Sequence, residues 1–174
     1  MKPLILALLL LFSLPQEEPL KQKIKTFRNS ERFSVKYDRF EDRTYVRVGP
    51  FFVGGTKAYF MRGFKLNMYA VLVKDKQPRQ SIYLIFETQS QDWKLLKTRE
   101  LYVLMDGERQ TFGEGVRDSD VGGYYVHEQI AYLIPADTFA KMAQAKKSEL
   151  RIGTIELVLK DEHKEAFRDL LSLL

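Results

Sequence analysis

Two stretches of this chain gather side chains that could do chemistry. His127-Glu128 begins like the zinc-protease box H-E-x-x-H, but Ala131 stands where the second His belongs. The surrounding residues, HEQIAYLI, alternate as a strand. Residues four apart on a strand lie ~13 Å from each other, too far to share one metal ion. The only other histidine is His163, far along the chain on the polar side of a later helical pattern. The second stretch, Asp118-Ser119-Asp120-Val121-Gly122-Gly123, echoes a calcium loop. Hard cations take several carboxylate and carbonyl oxygens from a tightly turning backbone. Gly122 replaces the third ligand of an EF-hand loop, Gln129 holds the twelfth position, and Glu128 comes one residue early. Asp118, Asp120 and Glu114 therefore stand as candidate ligands of a calcium site outside the EF-hand pattern. A solvated turn using Asp and Gly for backbone geometry is the simpler reading.

Other catalytic patterns fail on order or spacing. Gly49 to Lys57 (GPFFVGGTK) has Gly-Gly-Thr-Lys where a phosphate loop needs Gly-Lys-Ser/Thr. There is no G-x-S-x-G elbow and no Ser beside a His. Carboxylates at Glu41-Asp42, Asp118, Asp120 and Glu128 could serve acid–base work only if the fold brought them together. The aromatic residues, 12 Phe, 9 Tyr and 1 Trp, fall mostly at core spacing within strands. Tyr124-Tyr125, following Gly122-Gly123, is the pair best placed to be exposed, since adjacent strand residues face opposite ways. Tyr124, Tyr125 and Glu128 are accordingly the candidate ligand-binding residues.

Composition narrows the classes further. With no cysteine among 174 residues, disulfides, thiolate metal sites, iron–sulfur clusters and a Cys nucleophile are excluded. At 45% hydrophobic and 29% charged residues, the chain can fold. The net charge of +5 comes from bases scattered among nearly as many acids, which argues against nucleic acid.

The elements that would position these residues are mostly strands. Phe33 to Asp38 alternates, and Tyr45 to Val48 follows a polar break at Glu41-Asp42-Arg43. Gly49-Pro50 and Gly54-Gly55 read as breaks, Phe64 to Val73 as a central strand, Asp75 to Pro78 as a turn and Ser81 to Glu87 as a second apolar strand. Asp106-Gly107 between Leu101–Met105 and Glu108–Phe112 predicts a type I′ hairpin. Residues 113–123 read as a loop and Tyr124 to Ile134 as a strand. Phe139, Met142 and Ala143 after Pro135 predict a short helix. Leu150 to Leu159 reads as one strand with a bulge at Gly153. A last helix starts near Asp161 with Phe167, Leu170, Leu171 and Leu174 on one stripe. This order predicts a mainly β protein, an antiparallel β-sandwich, immunoglobulin-like or similar, with one short helix and a C-terminal helix.

The N-terminus reads as an address. Lys2 precedes an apolar run from Leu4 to Phe12, extended by Leu14, which has the length of a signal-peptide core and is short for a membrane span. The expected organisation is a signal peptide over 1–15, a polar basic tether over 16–32 and one domain over 33–174. The tether's Lys21, Lys23, Lys25, Arg28 and Arg32 would suit peripheral membrane contact if the run is retained.

Several segments resemble a family of uncharacterised secreted bacterial β-rich proteins. They are Phe86 to Gln89 (FETQ), the lone Trp93, Val103 to Arg109 (VLMDGER), Glu128, Ile134-Pro135 with Phe139, and Leu150-Arg151-Ile152-Gly153 with Glu156 and Leu159. The resemblance implies an envelope or secreted location and carries no activity. The expected function is a non-catalytic secreted or periplasmic module that binds an envelope protein or glycan. Two alternatives are a small carboxylate-dependent hydrolase or lyase near residues 113–128, and a cation-dependent surface module.

Overall fold

The computed structural model describes residues 17–54, 61–73, 81–97 and 99–174. The expected signal peptide and the turn at Asp75 to Pro78 lie outside them. Among the described residues the chain is mainly β, arranged as two antiparallel sheets and three α-helices. Helix α1 (Glu17–Ile24) leads into β1 (Phe33–Asp38), β2 (Arg43–Gly54), β3 (Met61–Val73) and β4 (Ser81–Ser90). There follow β5 (Glu100–Met105), β6 (Glu108–Glu114), β7 (Val116–Gly122) and β8 (Tyr125–Ile134). Helix α2 (Ala136–Gln144), β9 (Ser148–Ile152), β10 (Ile155–Val158) and α3 (Asp161–Ser172) close the chain. The six-stranded sheet runs β1-β2-β3-β4-β8-β7, and the four-stranded sheet runs β10-β9-β5-β6.

Alternation decides which face is buried. In β8, Val126, Glu128, Ile130, Tyr132 and Ile134 point inward and the residues between them outward. In β5, Leu101, Val103 and Met105 do the same for the smaller sheet. Both inner faces meet α2 and α3 in one core. Phe139 of α2 and Phe167 of α3 stack with ring centres 4.2 Å apart, and Phe86 meets Tyr132 edge-on at 5.9 Å. The chain passes from one sheet to the other at Gly115. A Cβ there would stand 2.4 Å from Ile130 Cγ2 and 2.8 Å from Tyr132 Cε1, so the corner admits no side chain.

Four local expectations change. Gly49-Pro50 does not end a strand: β2 runs on to Gly54, absorbing the pair in a register shift between Val48 and Phe51. Residues 116–122, expected within a loop, form β7, because β8 satisfies their backbone along one side while Asp118 and Asp120 point to solvent. Gly153 is a turn, not a bulge: at φ +58° it joins two strands, with Ile155 opposite Ile152. The segment expected as a tether is folded over residues 17–32. Ile24 is buried, the Phe27 and Phe33 rings lie 5.2 Å apart, the Arg28 guanidinium stands 3.7 Å from Glu165, and Lys23 Nζ donates to the Ser172 carbonyl.

Candidate functional site

The hairpin β7–β8 carries most of the residues expected to do chemistry, and it separates them. Asp118 and Asp120 lie on the solvent side of β7, opposite Gln129 and His127. Glu114 ends β6 on the far side of Gly115, where it pairs with Arg99 at 2.7 Å. Among the described residues no group of three or more His, Asp or Glu is placed to hold a metal ion. Glu128 points the other way, into the protein, and is fully buried. Its carboxylate accepts the backbone N–H of Lys94 at 2.7 Å and of Leu95 at 3.0 Å. It thereby anchors the segment between β4 and β5, whose Leu95 enters the core. Asp118, Asp120 and Glu128 therefore share no cleft. Tyr124 stands almost fully exposed at the hairpin tip and Tyr125 is partly exposed. Strand alternation sets Tyr125 and Glu128 on opposite faces, so the three candidate ligand-binding residues do not converge. Trp93, Leu96, Val116, Val121 and Leu133 are likewise exposed apolar residues.

A second constellation lies on the solvent face of the smaller sheet. Strand pairing builds two rows across its four strands. One row reads Glu156, Arg151, Tyr102, Thr111 from β10 to β6, and the next reads Val158, Glu149, Leu104, Arg109. All of these residues except Thr111 line an open hollow of about 270 Å3. The Tyr102 ring sits between two guanidinium groups, with Arg151 Cζ 4.7 Å and Arg109 Cζ 5.3 Å from its centre. Its hydroxyl donates to the Glu100 carboxylate, which fixes the ring's direction. The same bond, the first cause, raises the phenol above its usual pKa.

The charges in this hollow are not paired with each other. Glu156 stands directly opposite Arg151 in register, yet no carboxylate of the described residues lies within 4.0 Å of either arginine, because both guanidiniums turn to the ring. Glu149 is taken by Lys147 at 2.9 Å. Two cations and the Glu156 anion thus face the hollow, beside the apolar Leu104 and the half-exposed Val158. The lining residues include no Ser, Thr, His, Lys or Asp. This arrangement can hold a charged ligand. Sequence reasoning passed over it because its members are spread over the 57 residues from Tyr102 to Val158 and look like ordinary outward strand positions. The usable signal was the alternation itself: Glu100-x-Tyr102, Glu149-x-Arg151 and Glu156 all fall on the outward parity of their strands.

No protein-family model, no curated protein and no solved structure matches the chain. Its functional reading therefore rests on its own geometry.

Proposed function

We propose that this chain is a non-catalytic binding module of the bacterial envelope, exported by its N-terminal apolar run, and that the hollow on the smaller sheet is its ligand-facing surface. Its two sheets are read as the layers of a sandwich-like body, a view supported by the single core they share with α2 and α3. The observation that carries the binding function is the hollow's uncompensated charge: Arg109, Arg151 and Glu156 face one space without a counter-ion among the described residues. Here the aromatic ring holds the arginines in place and leaves their N–H edges available. The envelope location is supported by the run from Leu4 to Phe12. Nucleic acid is disfavoured because acids interleave with the bases.

Cosedimentation with washed bacterial envelope preparations tests this. The wild-type chain is expected in the pellet. A Tyr102→Ala/Arg151→Ala variant, with thermal unfolding close to wild type, is expected in the supernatant. Equal pelleting of the two proteins removes the hollow from the function.

A further inference from the structure

We propose that the ligand of this hollow is a small zwitterion, of the class of a short peptide with a free ammonium and a free carboxylate, carrying an aliphatic side chain. This rests on the reading of the hollow as a binding surface and adds what it selects.

Three features of the lining determine the class. First, the uncompensated groups have both signs. A simple anion would leave Glu156 facing it, and a simple cation would meet Arg109 and Arg151. Only a ligand that carries both charges satisfies the three together. Second, the charges are ordered in space. Glu156 stands on β10, Arg151 on β9 and Arg109 on β6. Neighbouring strands are ~4.8 Å apart, so the anion lies at one side of the hollow and the farther arginine about three strand spacings away. A ligand laid across the strands places its ammonium at Glu156 and its carboxylate toward the guanidiniums. Arginine offers a planar fork of N–H donors that matches a carboxylate in two-point contact. Third, Leu104 and Val158 supply the apolar floor in the row beside the charges. A volume of about 270 Å3 lies just below the ~300–1,000 Å3 usual for drug-sized ligands. It fits a dipeptide and excludes full engulfment of a polymer.

The neighbouring groups keep the pattern intact. Glu149 is held by Lys147 and Glu100 by the Tyr102 hydroxyl. Neither competes for the two arginines, and Glu156 remains the one lining carboxylate without a partner in the described residues.

Titration of the purified full chain with alanyl-leucine tests the proposal, read by the NMR Nε–Hε signals of Arg109 and Arg151. The free dipeptide is expected to shift both. Its N-acetylated and its C-amidated forms are each expected to bind at least tenfold more weakly. Glu156→Gln is expected to abolish the discrimination against the N-acetyl form alone, and Arg151→Gln to weaken the discrimination against the amide. Equal binding of all three peptides, or tighter binding of the N-acetyl form, overturns the zwitterion. So does the absence of any shift. If the dipeptide fails while envelope cosedimentation still depends on Tyr102 and Arg151, the ligand class falls and the binding reading stands. If cosedimentation is also insensitive to the hollow, both fall.

Discussion

Glu128 shows how one side chain can look functional and act structurally. It is a carboxylate on β8, next to the edge strand of the larger sheet, and completely removed from water. Burying a charge without partners is prohibitive, and this one is offset by the two amides of Lys94 and Leu95. The neighbours across the strands are Thr88 and Ser119, both small polar residues facing the same inner layer. Glu128→Ala would strand the buried Leu95 N–H and the part-buried Lys94 N–H and is expected to cost about 2–4 kcal/mol, with Glu128→Gln recovering part of that through its remaining carbonyl oxygen. Urea unfolding measures the loss. Trp93 is the only tryptophan and precedes Lys94, so collisional quenching of its emission should rise in the Ala variant before global unfolding. Unchanged stability and unchanged quenching would remove the anchoring role.

At the scale of elements, the fold was legible wherever period and turn chemistry agreed. Asp106-Gly107 forms the expected hairpin with both residues at positive φ, +47° and +95°. The carboxylate of Asp106 also accepts the amides of Lys146 and Lys147, a partner 40 residues away that no local pattern could announce. Helix α3 begins at Asp161 as expected, yet the N-cap position belongs to Lys160. The cap is made by His163, whose Nδ1 accepts the Lys160 N–H at 2.9 Å. The ends of α2 were hidden for a similar reason. Arg168 and Lys164 of α3 reach the carbonyls of Ala143 and Lys146 at 2.8 and 3.1 Å, placing cations at that helix C-terminus. Helix α1 was missed because its polar residues dominate and only Ile24 among them is buried. Strand β7 was missed because its sequence is that of a loop. Its role explains that composition. β7 is the edge of the larger sheet, and Asp118 and Asp120 project along it two residues apart. In antiparallel pairing with a second β7 centred on Ser119, Asp118 would face the other copy's Asp120, which repels. Asp118→Val/Asp120→Val is therefore expected to turn a non-associating edge into a self-pairing one. Light scattering should show a concentration-dependent rise in mass over wild type; equal mass across the concentration series would show that the carboxylates do not guard the edge.

For the whole molecule, the junction between α3 and the larger sheet ties stability to pH. His163 is fully buried, meets the Phe51 ring edge-on at 5.2 Å and lies on the side of β2 that faces α3. Phe51 in turn carries the Arg32 guanidinium, 4.7 Å from its ring centre, so the N-terminal segment, β2 and α3 converge there. Burial, the first cause, pushes the imidazole below its usual 6.5; Lys160 and Arg32 add to this, and Glu162, with its carboxylate 3.7 Å from Nε2, opposes it. Protonation would also convert the Nδ1 acceptor into a donor facing the Lys160 N–H. Because the folded pKa lies below the unfolded one, the unfolded chain binds the proton more readily as pH falls. The contribution of His163 is complete above 6.5 and is lost as pH drops through the folded value. Asp106, held below 3.8 by its two amide bonds, adds a further loss only in stronger acid. Asp169, raised by burial, works in the opposite sense. Wild-type unfolding free energy is thus expected to fall between about pH 6.5 and 5. Asn at position 163 keeps an oxygen acceptor near the Nδ1 position and cannot titrate. His163→Asn is expected to be less stable at pH 7.5 but flat across that window. A wild-type profile that stays level from 7.5 to 5, or a His163→Asn profile of equal slope, would show that the junction does not govern acid stability.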